Sequence, residues 1–170
     1  MSRSFLGFAA GLILVYVLHI AVAHAAVAAT PVTLAIGDGA VLNNGLVRLR
    51  IDPEGRLHEL SYRNGPNLAS SEYWNFNGNG YNRDGAPEKQ RFAVLTGELR
   101  VIRQSNELVE VAFDREPAEP AFFRMSLHYV LRRGEPGFHI YMTAAHQEDM
   151  PPGFITQYAY NLRLAPKQFE

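Results

Sequence analysis

The residues best suited to binding chemistry are aromatic and lie close together near the middle of the chain. Tyr73, Trp74, Phe76 and Tyr81 border a stretch rich in asparagine and glycine, which predicts a long irregular loop over residues 68–88. Aromatic rings on a loop at the rim of a domain are well placed to stack on sugar rings. We therefore predict that Tyr73, Trp74 and Tyr81 contact a carbohydrate, or alternatively that Trp74 and Phe76 close the end of the core.

The other residues that could do chemistry are scattered. Beyond the N-terminal segment the chain has four histidines: His58, His128, His139 and His146. None stands at a zinc-ligand spacing, and there is no cysteine. Glu148 and Asp149 fall in a predicted loop but form no calcium-binding pattern. The sequence therefore predicts no metal site and no cofactor, and it favours polar strand positions for the histidines.

The composition indicates one ordinary globular domain. The chain has 170 residues, of which 47% are hydrophobic and 19% charged, with a net charge of -1. Positive and negative side chains are interspersed, so nothing attracts a phosphate backbone over long range. We therefore predict no nucleic-acid partner, and the lack of cysteine excludes disulfides.

The N-terminal segment has the features of an export signal. Arg3 precedes an apolar run over residues 5–22, and Ala23, His24 and Ala25 form an A-x-A cleavage site. We predict a signal peptide over residues 1–25 and a mature domain over residues 26–170, secreted or periplasmic and without a stable membrane anchor. The alternative is that the same run stays in place as a permanent anchor, since its length approaches that of a membrane span.

Apolar and polar residues alternate with a period of two along most of the mature chain, which is typical of half-buried strands. The clearest hairpin joins residues 123–131 to residues 138–142 across a turn rich in glycine and proline. We predict that one set of alternating residues faces inward: Phe123, Met125, Leu127, Tyr129, Leu131, Phe138, Ile140 and Met142. About eight to ten such strands, with no long amphipathic helix, predict an all-β antiparallel β-sandwich.

Several motifs follow one another in a familiar order. Residues 41–47 (VLNNGLV) open a strand, residues 52–57 (DPEGRL) form a turn, and residues 60–65 and the Tyr73–Trp74 pair come next. The most specific motifs are LHYVLRRG at residues 127–134 and GFHIY at residues 137–141. Over residues 32–164, the sequence resembles the N-terminal β-sandwich of rhamnogalacturonan lyases of polysaccharide lyase family four.

This resemblance implies a galactose-mutarotase-like fold and β-elimination of rhamnogalacturonan, an acidic plant polysaccharide. It also implies two arginines, four residues apart, that hold the uronate; Arg163 matches the second, whereas Ala159 stands at the first. The catalytic lysine and histidine of the family would lie beyond this sequence, and Lys167 is outside the lysine motif. We therefore expect an N-terminal lyase fragment with no catalytic residues of its own, inactive alone, that binds substrate through Tyr73, Trp74, Tyr81 and Arg163.

Two other classes remain open at this point. One is a non-catalytic carbohydrate-binding or mutarotase-like accessory domain, and the other is an envelope protein that keeps only the fold. Both would share the sandwich and differ from a lyase in lacking the β-elimination chemistry.

Overall fold

The chain forms short antiparallel strands joined by turns. The computed structural model describes residues 29–80, 91–118, 122–150 and 152–168. The predicted signal peptide and Tyr81 lie outside these residues. Within them are a single 3-10 turn at Pro166–Gln168 and eleven strands: β1 Thr33–Gly37, β2 Gly39–Asn43, β3 Val47–Ile51, β4 Leu57–Tyr62, β5 Ala69–Gly80, β6 Arg91–Val94, β7 Glu98–Gln104, β8 Leu108–Arg115, β9 Arg124–Arg132, β10 His139–Ala145 and β11 Gly153–Leu164. In the described part of the chain, no helix has the length and apolar character needed to cross a membrane.

The strands form three antiparallel sheets. The first has the order β1-β2-β3-β4, the second β10-β9-β8-β7 and the third β11-β5-β6. Hairpin connections account for the first two sheets, because most consecutive strands pair with each other. The third sheet differs, since β5 pairs with β11 from the far end of the sequence as well as with β6.

Apolar side chains from all three sheets meet in one core. Leu42, Leu49, Trp74, Phe113 and Leu127 are fully buried there. Polar contacts also cross the layers: Tyr129 donates its hydroxyl proton to the carbonyl of Gly55 at 2.9 Å. The prediction of an all-β antiparallel sandwich is confirmed.

The inward register predicted for the β9–β10 hairpin is also confirmed. Met125, Leu127 and Tyr129 are fully buried and Arg124 is exposed. However, the opposite face of β9 is covered as well, because Ser126 and His128 are only 7% and 8% exposed. As a central strand between β8 and β10, β9 is flanked on both sides by neighbours whose side chains close over its outer positions.

The prediction of an irregular loop over residues 68–88 is wrong for its first part. Residues 69–80 form β5, one of the two longest strands, despite a composition of low strand propensity. Pairing with β11 and β6 supplies the backbone hydrogen bonds and outweighs propensity. A side chain on Gly78 would overlap the carbonyl oxygen of Phe154 and the ring of Phe76, so this glycine permits close packing within the sheet.

Candidate functional site

The outward-facing side of the third sheet carries a row of polar and aromatic side chains. Successive residues of a strand point to opposite faces. In β5, Trp74 and Phe76 point into the core, so Tyr73 and Asn75 point outward. Their cross-strand partners share this side of the sheet, which we call the outer β5 face; its members are Ser71, Tyr73, Asn75, Asn77, Phe92, Val94, Gln157, Ala159, Asn161 and Arg163.

Two of the predicted binding residues meet on this face. Tyr73 is paired with Asn161, and Arg163 is paired with Ser71 one step along the same two strands. Diagonal neighbours across an antiparallel ladder lie about 7–8 Å apart, within reach of long side chains. Tyr73 and Arg163 are therefore neighbours, although the sequence separates them by most of the domain.

Arg163 is exposed on the outer β5 face. In the described ranges, no carboxylate lies within ion-pair distance of its guanidinium. Most other arginines of the sandwich surface are paired, as Arg48 is with Glu59 and Arg133 with Glu107. An unpaired guanidinium can bind a carboxylate as a planar, two-pronged donor.

Trp74 points away from the outer β5 face, and its burial argues against the predicted contact with a carbohydrate. Its side chain is fully buried, and its ring lies 6.4 Å from that of Tyr158. Because β5 continues through this position, Trp74 must point to the side opposite Tyr73. Trp74 and Phe76 therefore fill the core, as the alternative interpretation held, and Trp74 has no exposed ring face for a sugar.

An amide pair lies at the centre of the outer β5 face. The Nδ2 of Asn161 donates a hydrogen bond of 2.7 Å to Oδ1 of Asn75. Asn75 is only 2% exposed, and its own Nδ2 has no hydrogen-bond partner. A buried donor without a partner costs about 1–3 kcal/mol, and its burial also keeps this Nδ2 out of reach of a ligand on the surface.

Two apolar residues of β6 extend the face, and sequence reasoning missed them. Phe92 lies opposite Asn77 and Val94 opposite Asn75, with exposed fractions of 58% and 46%. These two side chains add apolar surface beside the polar residues of the outer β5 face. Only the pairing with β5 shows which side of β6 faces out.

Chain comparisons found no matching family model and no matching curated protein. The choice of the outer β5 face as the candidate site therefore depends on the geometry of the face itself. Arg163 and Phe92 lie near opposite ends of this face, opposite Ser71 and Asn77 of β5. At about 3.3 Å per residue, the distance along β5 between these two positions is about 20 Å. This length accommodates a short oligosaccharide chain lying along β5.

A second polar cluster lies on the outer side of the β7–β10 sheet. His128 contacts Glu110 through Nδ1 at 3.0 Å and stacks on the Tyr141 ring at 4.1 Å. The Tyr141 hydroxyl also donates to Glu110, and burial together with this carboxylate raises the pKa of Tyr141 to about 12. These groups satisfy one another, which favours a structural role.

The remaining histidines lie apart from one another. His58 contacts Asp52 at 2.9 Å, His139 contacts Glu135 at 2.8 Å, and His146 lies against the Phe123 ring. In the parts of the chain that the structure covers, no three potential metal-binding side chains come together.

A separate groove has the wrong charge for an acidic ligand. It encloses about 600 Å³ beside the β7–β8 edge and is lined by Glu54, Glu98, Asp114 and Glu116 as well as Arg100 and Arg115. Arg100 is already bound to Asp114 and lowers the pKa of that carboxyl. The carboxylates would therefore repel a uronate, and the outer β5 face is the better candidate.

Proposed function

We propose that this domain binds an acidic polysaccharide of the rhamnogalacturonan class along the outer β5 face. The observation that carries the proposal is that exposed Arg163, which has no ion-pair partner among the described residues, neighbours Tyr73 on the adjacent strand. The guanidinium would hold a uronate carboxylate, while Tyr73 and Phe92 offer aromatic surface to the sugar rings. Asn161, which is partly exposed, would exchange hydrogen bonds with hydroxyl groups.

In this proposal the domain supplies substrate binding to a rhamnogalacturonan-lyase type of reaction and no elimination chemistry of its own. Elimination needs a base within hydrogen-bond reach of the proton next to the uronate carboxylate. Lys167 is exposed in the 3-10 turn beyond β11, and the histidines contact acidic or aromatic partners away from Arg163. An accessory carbohydrate-binding role without any lyase partner is the second candidate, because the same face would serve both.

Binding is tested by titrating the purified mature chain with rhamnogalacturonan oligosaccharides and with a neutral galactan. Arg163→Gln should weaken binding of the acidic ligand by about tenfold or more, since a hydrogen bond to a charged group contributes about 1.5–3 kcal/mol. Arg124→Gln, which removes a guanidinium paired with Glu116 on the other sheet, is the matched control and should leave affinity unchanged. Equal loss in both variants, or equal affinity for the neutral galactan, would contradict the proposal.

Elimination is tested by the absorbance of unsaturated uronate ends after incubation with the same polysaccharide. The expected result is no turnover. Turnover that disappears in Lys167→Ala would instead make Lys167 the base, and turnover unaffected by that change would point to one of the histidines.

A further inference from the structure

Glu72 is a carboxyl group enclosed between the layers of the sandwich. It lies on the inner side of β5 and is only 8% exposed. The backbone N–H of Leu57, at the start of β4, donates to its Oε2 at 2.7 Å. Its Oε1 lies 3.3 Å from the hydroxyl oxygen of Tyr129 on β9. This one side chain therefore touches β4 and β9 as well as its own strand.

The hydroxyl group of Tyr129 has one proton and two oxygen neighbours. The carbonyl oxygen of Gly55 is the closer, at 2.9 Å, and the carboxyl oxygen of Glu72 is at 3.3 Å. When the proton goes to Gly55, the contact with Glu72 has no hydrogen unless the carboxyl supplies it. A protonated Glu72 donates to Tyr129, which donates to the carbonyl of Gly55. Each of these three groups then has a hydrogen-bond partner.

Burial has a larger effect on the protonation of Glu72 than the charged and polar groups around it. Tyr160 approaches from β11, and Asp52 and Arg56 approach from the turn between β3 and β4. Burial raises the pKa of Glu72 to about 7; Asp52 adds to this effect, whereas the Leu57 N–H, Tyr129 and Arg56 oppose it. Burial also raises the pKa values of Tyr129 and Tyr160, so both hydroxyls remain neutral donors.

We propose that Glu72 is protonated in the folded domain and that its hydrogen bonds, which depend on this proton, join the β3–β4 turn, β5 and β9. Loss of the proton makes the Glu72 carboxylate and the Gly55 carbonyl compete for the single hydroxyl proton of Tyr129. It also leaves a buried charge that the Leu57 N–H, Tyr129 and Arg56 stabilise only in part. The turn held by Gly55 and Leu57 would then loosen from β9.

The direction of the pH effect follows from the raised pKa in the folded state. The unfolded chain releases the proton near the usual value of 4.5, whereas the folded domain keeps it until about pH 7. The stabilisation is therefore complete at acid pH and is lost as the pH rises between these values. Within this window one proton changes the unfolding equilibrium constant by up to about tenfold per pH unit.

The test combines a direct titration with a matched pair of variants. In the wild-type chain, the 13C chemical shift of the Glu72 carboxyl, followed by NMR against pH, should give a midpoint near 7. Chemical denaturation at a series of pH values should show that Glu72→Gln lacks the wild-type loss of stability across the window, since its amide can accept from Leu57 and donate to Tyr129. Glu59→Gln is the control, because Glu59 pairs with Arg48 and Arg50 on the surface and its loss should leave that slope in place.

A Glu72 midpoint at the ordinary glutamate value would overturn the proposal. So would a Glu72→Gln variant that keeps the full wild-type slope. If Glu72→Gln does not fold, the wild-type NMR titration decides the question alone.

Discussion

Asn161 holds the side-chain amide of Asn75 in place by donating to its Oδ1 across the β11–β5 ladder. The bond joins two strands that meet only in the folded domain, and it leaves the Nδ2 of Asn75 without a partner. It thereby fixes the orientation of a polar group in the middle of the outer β5 face.

Asn161→Asp should separate binding from stability. The Asn75 amide can turn over so that its Nδ2 donates to the new carboxylate, which keeps the free energy of unfolding within about 1 kcal/mol of wild type. The added charge should weaken binding of uronate oligosaccharides by about fivefold or more, since like charges about 4 Å apart repel by about 1–4 kcal/mol. Titration calorimetry with acidic and neutral oligosaccharides measures this, and an equal loss for both ligands would count against the charge explanation.

Phe92→Ala should reduce affinity with little effect on stability. The ring is 58% exposed, so its removal changes the free energy of unfolding by about 0.5 kcal/mol or less. An aromatic contact contributes about 0.5–1.5 kcal/mol, which predicts a loss of affinity of about two- to tenfold. Val101→Ala, at an apolar side chain 44% exposed on β7, is the control. Unchanged affinity in Phe92→Ala would remove β6 from the binding face.

We expect Trp74 to contribute to the stability of the fold and not to ligand binding. Trp74→Ala is expected to lower the free energy of unfolding by about 3–5 kcal/mol, because it empties a fully buried site. Trp74→Phe should cost much less, since the indole Nε1 has no hydrogen-bond partner to lose. Denaturant titration gives both values. A folded Trp74→Phe variant that no longer binds oligosaccharide would show that the indole contacts ligand after all.

The export signal gives a prediction about the mature protein. When the full chain is expressed in a bacterium with a periplasm, mass spectrometry of the exported material should find an N-terminus near Ala26, after the A-x-A site at residues 23–25. Replacing Ala25 with a large residue should slow cleavage, because the site accepts small side chains. Recovery of the intact chain, with Met1, from the membrane fraction would support the anchor instead.

The sequence by itself determined the class of the fold and the register of its best hairpin. Alternation with a period of two assigns each residue of a strand to one face, which is why Met125, Leu127 and Tyr129 were placed inside correctly. The glycine and proline residues between the two runs mark the turn, so the position of this hairpin followed from local signals. These properties depend on neighbours within a few residues, which the sequence displays directly.

The tertiary structure alone decided the composition of the candidate site. Residues 69–80 have little strand propensity, and they form β5 because β11, more than seventy residues further along, supplies the backbone partners. Once β5 exists, adjacent Tyr73 and Trp74 must face opposite sides, and packing of Trp74 against Tyr158 selects the inner one. The pairing of Asn161 with Tyr73 and of Phe92 with Asn77 has the same origin: cross-strand neighbours are set by long-range packing, which leaves no periodic signal in the sequence.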